Sequence, residues 1–274
     1  MHDGSKRRRL IGAVIAACMS LSCSGSDVAD DENLESTAPA ETAASWQLKW
    51  SPAANRDGLK GFEGIEDDRA NSHSAGQPHI FVSGNDYRFN MHMVDRDTAT
   101  DRQRQEVKGM RTSSGSIIDM NLGETWKLSW SLYIPSSLKA TTSFSHIMQL
   151  KMPGNGTSPI LVMSLRRHGS TPKIEVKVIE RDVLVGAIDL APLQNKWIDT
   201  DLEFKIGDGS SGSVRWVVRD GSTTVIDTKK TGVDLWLGDR VRPKWGIYRS
   251  LGDSSGSLQD CYLLLSNMRG YQYL

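Results

Sequence analysis

From Trp46 onward the chain is written in short runs where apolar and polar residues alternate, each closed by Gly, Ser, Asp or Pro. The clearest is Trp126-Lys127-Leu128-Ser129-Trp130-Ser131-Leu132-Tyr133-Ile134, stopped by Pro135. Successive side chains of a strand point to opposite faces, so such a run buries one face and wets the other. Similar runs occupy 79–82, 87–92, 102–108, 144–152, 160–166, 173–178, 197–206, 213–219, 224–226, 242–249 and 260–273. Asp220-Gly221 between two of them signals a tight hairpin. Helical periodicity is scarce, and only 135–140 or 234–239 could form a short helical turn. Many short strands between turn signals predict an all-β sandwich or jelly roll. No internal repeat is evident, so residues 46–274 are read as one domain.

The residues before this domain read differently. Lys6-Arg7-Arg8-Arg9 is a basic start, and Leu10 to Ala17 an apolar run too short to span a bilayer. Cys18 and Cys23 each sit in a small-residue setting like a bacterial lipoprotein cleavage box. Cys18 has the better box, whereas Cys23 gives the apolar run a more usual length and is the preferred lipidation site. An ordinary secretory signal cut nearby is the alternative. The reading is a signal peptide over 1–23, then an acidic, Ser-rich linker over 24–45 with no apolar periodicity. The expected location is therefore the bacterial cell envelope, as a lipid-anchored or secreted protein. Cys261, among Tyr262-Leu263-Leu264-Leu265, is expected to be a buried strand residue. Three cysteines, two of them in the signal, exclude a disulfide framework.

The chain carries 33 basic and 33 acidic residues, so no nucleic-acid partner is expected and any working charge must be local. Three runs concentrate such charge on one face. In Arg102-Gln103-Arg104-Gln105-Glu106-Val107-Lys108, alternation groups Arg102, Arg104, Glu106 and Lys108. Three cations around one carboxylate suit a wet, anion-binding face, although a charged edge strand would read the same way. In His146-Ile147-Met148-Gln149-Leu150-Lys151-Met152, Gln149 and Lys151 share a face. His146 falls on the other, as a core or sheet-end residue, unless a bulge re-aims it. In Arg242-Pro243-Lys244-Trp245-Gly246-Ile247-Tyr248-Arg249, Lys244, Gly246 and Tyr248 share a face, with Trp245, Ile247 and Arg249 opposite. A glycine inside a strand marks close approach of a ligand or another backbone. Ser164 and Arg166 of the 160–166 run could line the same face. No His-Glu-x-x-His, Cys-x-x-Cys, Gly-x-Ser-x-Gly or phosphate loop occurs.

The succession Arg102-x-Arg104-x-Glu106, His146-x-x-Gln149-x-Lys151 and Lys244-x-Gly246-x-Tyr248 resembles polysaccharide lyases of concanavalin A-like jelly-roll fold, glucuronan lyase and heparin lyase I among them. The resemblance spans roughly 75–273 and is most specific over 243–249. It implies a two-sheet jelly-roll sandwich, and cleavage of an anionic, uronic-acid glycan by β-elimination in an open groove. Tyr248 would transfer the proton. Gln149 would help neutralise the uronate carboxylate, Arg104 would be the groove arginine and Glu106 would orient it. Lys244 would support or contact substrate. Arg102, Glu106, Lys151, Arg166, Lys244, Arg249 and His146 are the candidate substrate contacts. Alginate lyases of similar fold carry a histidine two residues after the glutamine, where this chain has Lys151. His92 is the candidate replacement as second acid or base. No cofactor is required. A structural calcium is often bound in such proteins, and Asp95, Asp97 and Asp260 are its candidate ligands. A monomer is expected. The competing reading is a lectin-like envelope lipoprotein of the same fold that binds glycan without cutting it.

Overall fold

The alternating runs become strands. The computed structural model describes residues 44–73, 78–154 and 156–274, so the expected signal peptide, Cys18, Cys23 and nearly all of the linker lie outside the described residues. In chain order the strands are β1 (Trp46–Trp50), β2 (Gly64–Glu66), β3 (Ile80–Ser83), β4 (Asp86–Met91), β5 (Arg102–Lys108), β6 (Thr125–Tyr133), β7 (Ser145–Lys151) and β8 (Pro159–His168). There follow β9 (Thr171–Val178), β10 (Val183–Asp189), β11 (Trp197–Lys205), β12 (Gly212–Asp220), β13 (Thr223–Val233), β14 (Arg242–Ser250) and β15 (Cys261–Tyr273). Neither stretch expected to turn helically does so. Residues 135–140 and 234–239 are irregular, and a four-residue helix instead occupies Ala54–Asp57.

Two antiparallel sheets form the sandwich. One runs β13-β12-β11-β6-β15-β4-β3, with β1 also paired to β15, and the other runs β10-β9-β8-β7-β14-β5-β2. Every second residue of β6 enters the space between them: Trp126, Leu128, Trp130 and Leu132 are all buried. From the second sheet Trp245 meets them there. It stacks on Trp50 at 5.3 Å between ring centroids and meets Trp130 edge-on at 6.3 Å. Burying a tryptophan of roughly 200 Å² at about 25 cal/mol per Å² stabilises the fold by about 5 kcal/mol as an upper figure. Trp216 and Cys261 are buried as well.

Two irregularities in the second sheet decide which side chains leave the core. In β7 the register against β8 slips between His146 and Met148, and both Ile147 and Met148 are buried in the core. One extra residue on a strand reverses the alternation beyond it. His146 and Gln149, three apart, therefore lie on the same outer face. In β14 the register against β7 slips between Trp245 and Tyr248. Gly246 lies there with φ +135°, and a Cβ on it would stand 2.1 Å from the Gln105 carbonyl oxygen. The glycine thus accommodates the neighbouring backbone of β5.

Candidate active site

The three charged runs are adjacent: β5 pairs with β14, and β14 pairs with β7. Tyr248 lies opposite Arg104 on one side and His146 on the other, while Lys244 lies opposite Lys108 and Gln149. The outer face of this sheet therefore gathers residues distant in sequence onto neighbouring positions.

Tyr248 is the centre of one half of that face. Its hydroxyl accepts a hydrogen bond from Arg102 Nη1 at 2.8 Å, and the rest of that guanidinium is held by Asp101. The Arg104 guanidinium lies 3.8 Å from the phenol ring centroid, a cation over an aromatic face. Phe144 closes the ring's other surroundings at 4.9 Å, and the His146 ring is 5.9 Å away. His146 Nδ1 is 2.7 Å from Ser164 Oγ. Burial, reinforced by the cations of Arg166 and Arg104, pushes the His146 imidazole down to about 3, so it is neutral at ordinary pH.

The other half is an enclosed ionic layer. Lys244, 1 % exposed, donates to Glu66 at 2.7 Å and to Glu106 at 2.6 Å. Glu106 also accepts from Arg104 at 3.1 Å and from Gln149 at 2.6 Å. Arg104 is further bound to Asp97 at 2.8 Å and to Glu66 at 3.2 Å. Glu66 takes Lys108 at 3.1 Å as well. Burial disfavours the Glu66 carboxylate, but Lys244 foremost, then Arg104 and Lys108, outweigh it and hold the group at about 2. Every buried charge here has a partner, the condition for such a layer to persist. Lys151 lies at its border, with Nζ against Thr157 O and Oγ1. Burial, then the neighbouring cations Lys244, Arg104 and Arg242, lowers the Lys151 ammonium to about 8.

These positions change several expectations. Arg102, Arg104, Glu106, His146, Gln149, Lys151, Lys244 and Tyr248 do come together, and Arg166 is near enough to depress His146. Lys244, expected to support or contact substrate, is instead locked between two carboxylates. Gln149 is equally enclosed, its amide spent on Glu106. Arg249 points inward: it donates to Gln103 at 2.7 Å and meets the Cys261 sulfur at 3.3 Å, so it is not on the groove face. His92 belongs elsewhere too. Its ring packs against His73 and His79, and its Nδ1 lies 3.4 Å from Asp95. Asp95 is also 3.4 Å from Gln105, a β5 residue buried on the side away from Tyr248. The three aspartates expected around calcium are engaged separately. Asp97 binds Arg104, Asp260 accepts the Met93 N–H at 2.7 Å, and Asp95 lies among histidines. They do not fit a calcium site. The sequence reading missed Glu66, whose three-residue strand offers no alternation to detect, and Phe144 as a partner of Tyr248.

A family model for polysaccharide lyases matches residues 54–266. The chain belongs to that family. No protein of curated function matches the sequence. Among solved structures, the alginate lyase from Klebsiella pneumoniae is 12 % identical with a TM-score of 0.54, covering 80 % of this chain and 98 % of that one. Alginate lyase A1-II′, a member of polysaccharide lyase family 7, is 14 % identical with a TM-score of 0.54, covering 81 % and 99 %. A variant of the same enzyme in complex with substrate gives 12 %, 0.56, 82 % and 97 %. At these identities the likeness is one of fold, the two-sheet jelly roll.

Proposed function

We propose that this protein cleaves a uronic-acid-containing polysaccharide by β-elimination on the outer face of β5, β14 and β7, with Tyr248 as the proton-transfer residue. The observation that carries the proposal is the setting of one phenol: Arg102 donating to its oxygen, Arg104 over its ring and a neutral imidazole beside it. A proton α to a carboxylate is weakly acidic, and pairing that carboxylate with fixed cations stabilises the charge that develops when it leaves. Arg166 and Lys151, which pair with no carboxylate among the described residues, are the cations left for this task, because Lys244, Arg104 and Arg102 are spent on carboxylates. Burial, then Arg166 and Arg104, make His146 a weak base, so it accepts the C5 proton only once a bound substrate carboxylate has offset those two cations. Tyr248 then gives its proton to the departing O4, and Arg102 stabilises the negative charge developing on the phenol oxygen. The C5–H and C4–O4 bonds break as the C4=C5 double bond forms. Gln149 and Glu106 are positioning residues that hold Arg104 against the phenol. The family membership supports lyase chemistry, and the structural neighbours named as alginate lyases support a uronate polymer. The lipoprotein-like start of the sequence supports an envelope location with lipid on Cys23 or Cys18. Palmitate labelling that survives substitution of both cysteines would refute lipid attachment at either of them.

The test is product formation from glucuronan, alginate and heparin, read as the ultraviolet absorbance of an unsaturated uronate. Tyr248→Phe is expected to lower turnover by about 10²- to 10⁴-fold with binding retained. Unchanged turnover would remove Tyr248 from the reaction. Retained glycan binding by the wild type with no product from any uronic polymer would favour the lectin reading.

A further inference from the structure

On the far side of β5 from Tyr248 lies a cluster that the lyase reading does not use. His73 lies in the β2–β3 connection, His79 just before β3, His92 just after β4, and Asp95 in the β4–β5 connection. One ligand atom from each lies within 4.8 Å of all the others, and no other such group is found among the described residues. His73 Nδ1 is 3.0 Å from His79 Nε2, and Asp95 Oδ1 is 3.2 Å from His79 Nε2 and 3.8 Å from His73 Nδ1. His92 Nδ1 is 3.4 Å from Asp95 Oδ2. Four ligands about 2.0–2.1 Å from a tetrahedral zinc stand roughly 3.3 Å apart. The three separations among His73, His79 and Asp95 Oδ1 bracket that value, and His92 completes a set that lies within 4.8 Å.

Hydrogen bonding alone does not satisfy the cluster. Asp95 is fully buried. Its Oδ2 accepts the His92 backbone N–H at 2.7 Å and the Gln105 amide at 3.4 Å, but its Oδ1 has no hydrogen-bond partner among the described residues. His92 Nδ1 is buried and unpartnered as well. Both orphaned atoms are among the four-residue set. Buried polar atoms of native proteins nearly always find partners, and a cation accepting lone pairs from both would supply one.

The surroundings are those of a held ligand set. His79 Nδ1 donates to Asp67 Oδ1 at 2.8 Å, which leaves Nε2 with its lone pair toward the other three. A carboxylate on the far nitrogen is the usual support of a metal-bound histidine. Asp67 is itself fixed by the backbone N–H groups of His79 and Ile80. Gln103 donates to the carbonyls of His92, Met93 and Asp95, pinning the connection that carries two of the four ligands.

We infer that His73, His79, His92 and Asp95 form a binding site for zinc or a similar first-row transition ion. Three imidazoles and one carboxylate are the donors such ions take, whereas calcium takes an all-oxygen shell. Four protein ligands leave no open position, so the ion is structural. It clamps the β2–β3 connection to the β4–β5 connection, the segments that flank Glu66 and Arg102. The inference stands independently of the lyase reading.

The test uses the full chain, stripped with chelator and titrated with Zn²⁺. One equivalent should bind, and Co²⁺ in its place should give the intense visible absorption of a tetrahedral ion. Zn²⁺ at a hundredfold excess over Kd should raise the melting temperature by about 5–10 °C. His73→Ala, at a half-exposed position whose loss leaves the core intact, should weaken zinc binding about a hundredfold or more, and His92→Ala likewise. Stoichiometry near zero, an octahedral Co²⁺ spectrum, equal affinity in His73→Ala, or Ca²⁺ bound as tightly as Zn²⁺ would each overturn the inference.

Discussion

Replacing Lys244 by methionine separates the role its motif implies from the role its surroundings give it. The side chain is 1 % exposed and holds Glu66 and Glu106 together. Removing one partner of a buried ion pair costs about 3–5 kcal/mol, because the remaining charge is left poorly compensated. The carboxylate supports a figure of that size. Glu66 is held at about 2 against 4.5, and at about 1.4 kcal/mol for each tenfold change in proton affinity the ionic layer contributes roughly 3 kcal/mol through this group. In a domain of this size, Lys244→Met should lower the melting temperature by about 6–20 °C at pH 7. The sign with pH follows from the lowered carboxylate. Its stabilisation is fully present above about 4.5 and is lost as pH falls toward 2, so the gap between wild type and variant narrows over that window. Adding Glu66→Gln to the variant should recover part of the loss. Circular-dichroism melts from pH 7 down to pH 3 check this. A fall of less than about 2 °C at pH 7, with activity abolished, would make Lys244 a substrate contact and refute the buried-clamp argument.

Gly246→Ala should destabilise by about 2 kcal/mol or more, measured by urea unfolding, since its Cβ would meet the Gln105 carbonyl at 2.1 Å and its φ is +135°. The His146 ring resonances should not titrate between pH 5 and 8 in NMR spectra, because burial holds the imidazole neutral down to about 3. Lys151 loses its charge above about 8, so kcat/KM on a uronate polymer should fall above that pH, and Lys151→Arg should carry the falling limb upward. A limb unmoved by the arginine would take Lys151 out of carboxylate binding.

Much of this architecture is legible in the alternation of particular runs. The runs Trp126 to Ile134 and Arg102 to Lys108 form β6, one residue earlier at each end, and β5, with the same bounds, because a period of two has one way to bury its apolar half. Alternation had also grouped Arg249 with Trp245 and Ile247, and the inward side chain obeys it. What strand period cannot express is a change of period. Ile147 and Met148, both apolar and both buried, are the bulge that turns His146 outward, and a sequence reading shows them only as a break in the pattern. Nor can it express closure by distant elements. Lys244 reads as an outward lysine until Glu66, from a three-residue strand, caps it. The histidine cluster is assembled by connections rather than strands, so no ligand spacing marks it.

In the proposed reaction, elimination on the face around Tyr248 depends on a substrate carboxylate. The most direct measurement compares a uronate polymer with the same polymer after its carboxyl groups are reduced to alcohols, following both chain scission and unsaturated product. Scission accompanied stoichiometrically by the unsaturated uronate, and abolished by carboxyl reduction, is the predicted result. Scission that yields saturated ends, or that survives reduction of the carboxyl groups, would contradict it.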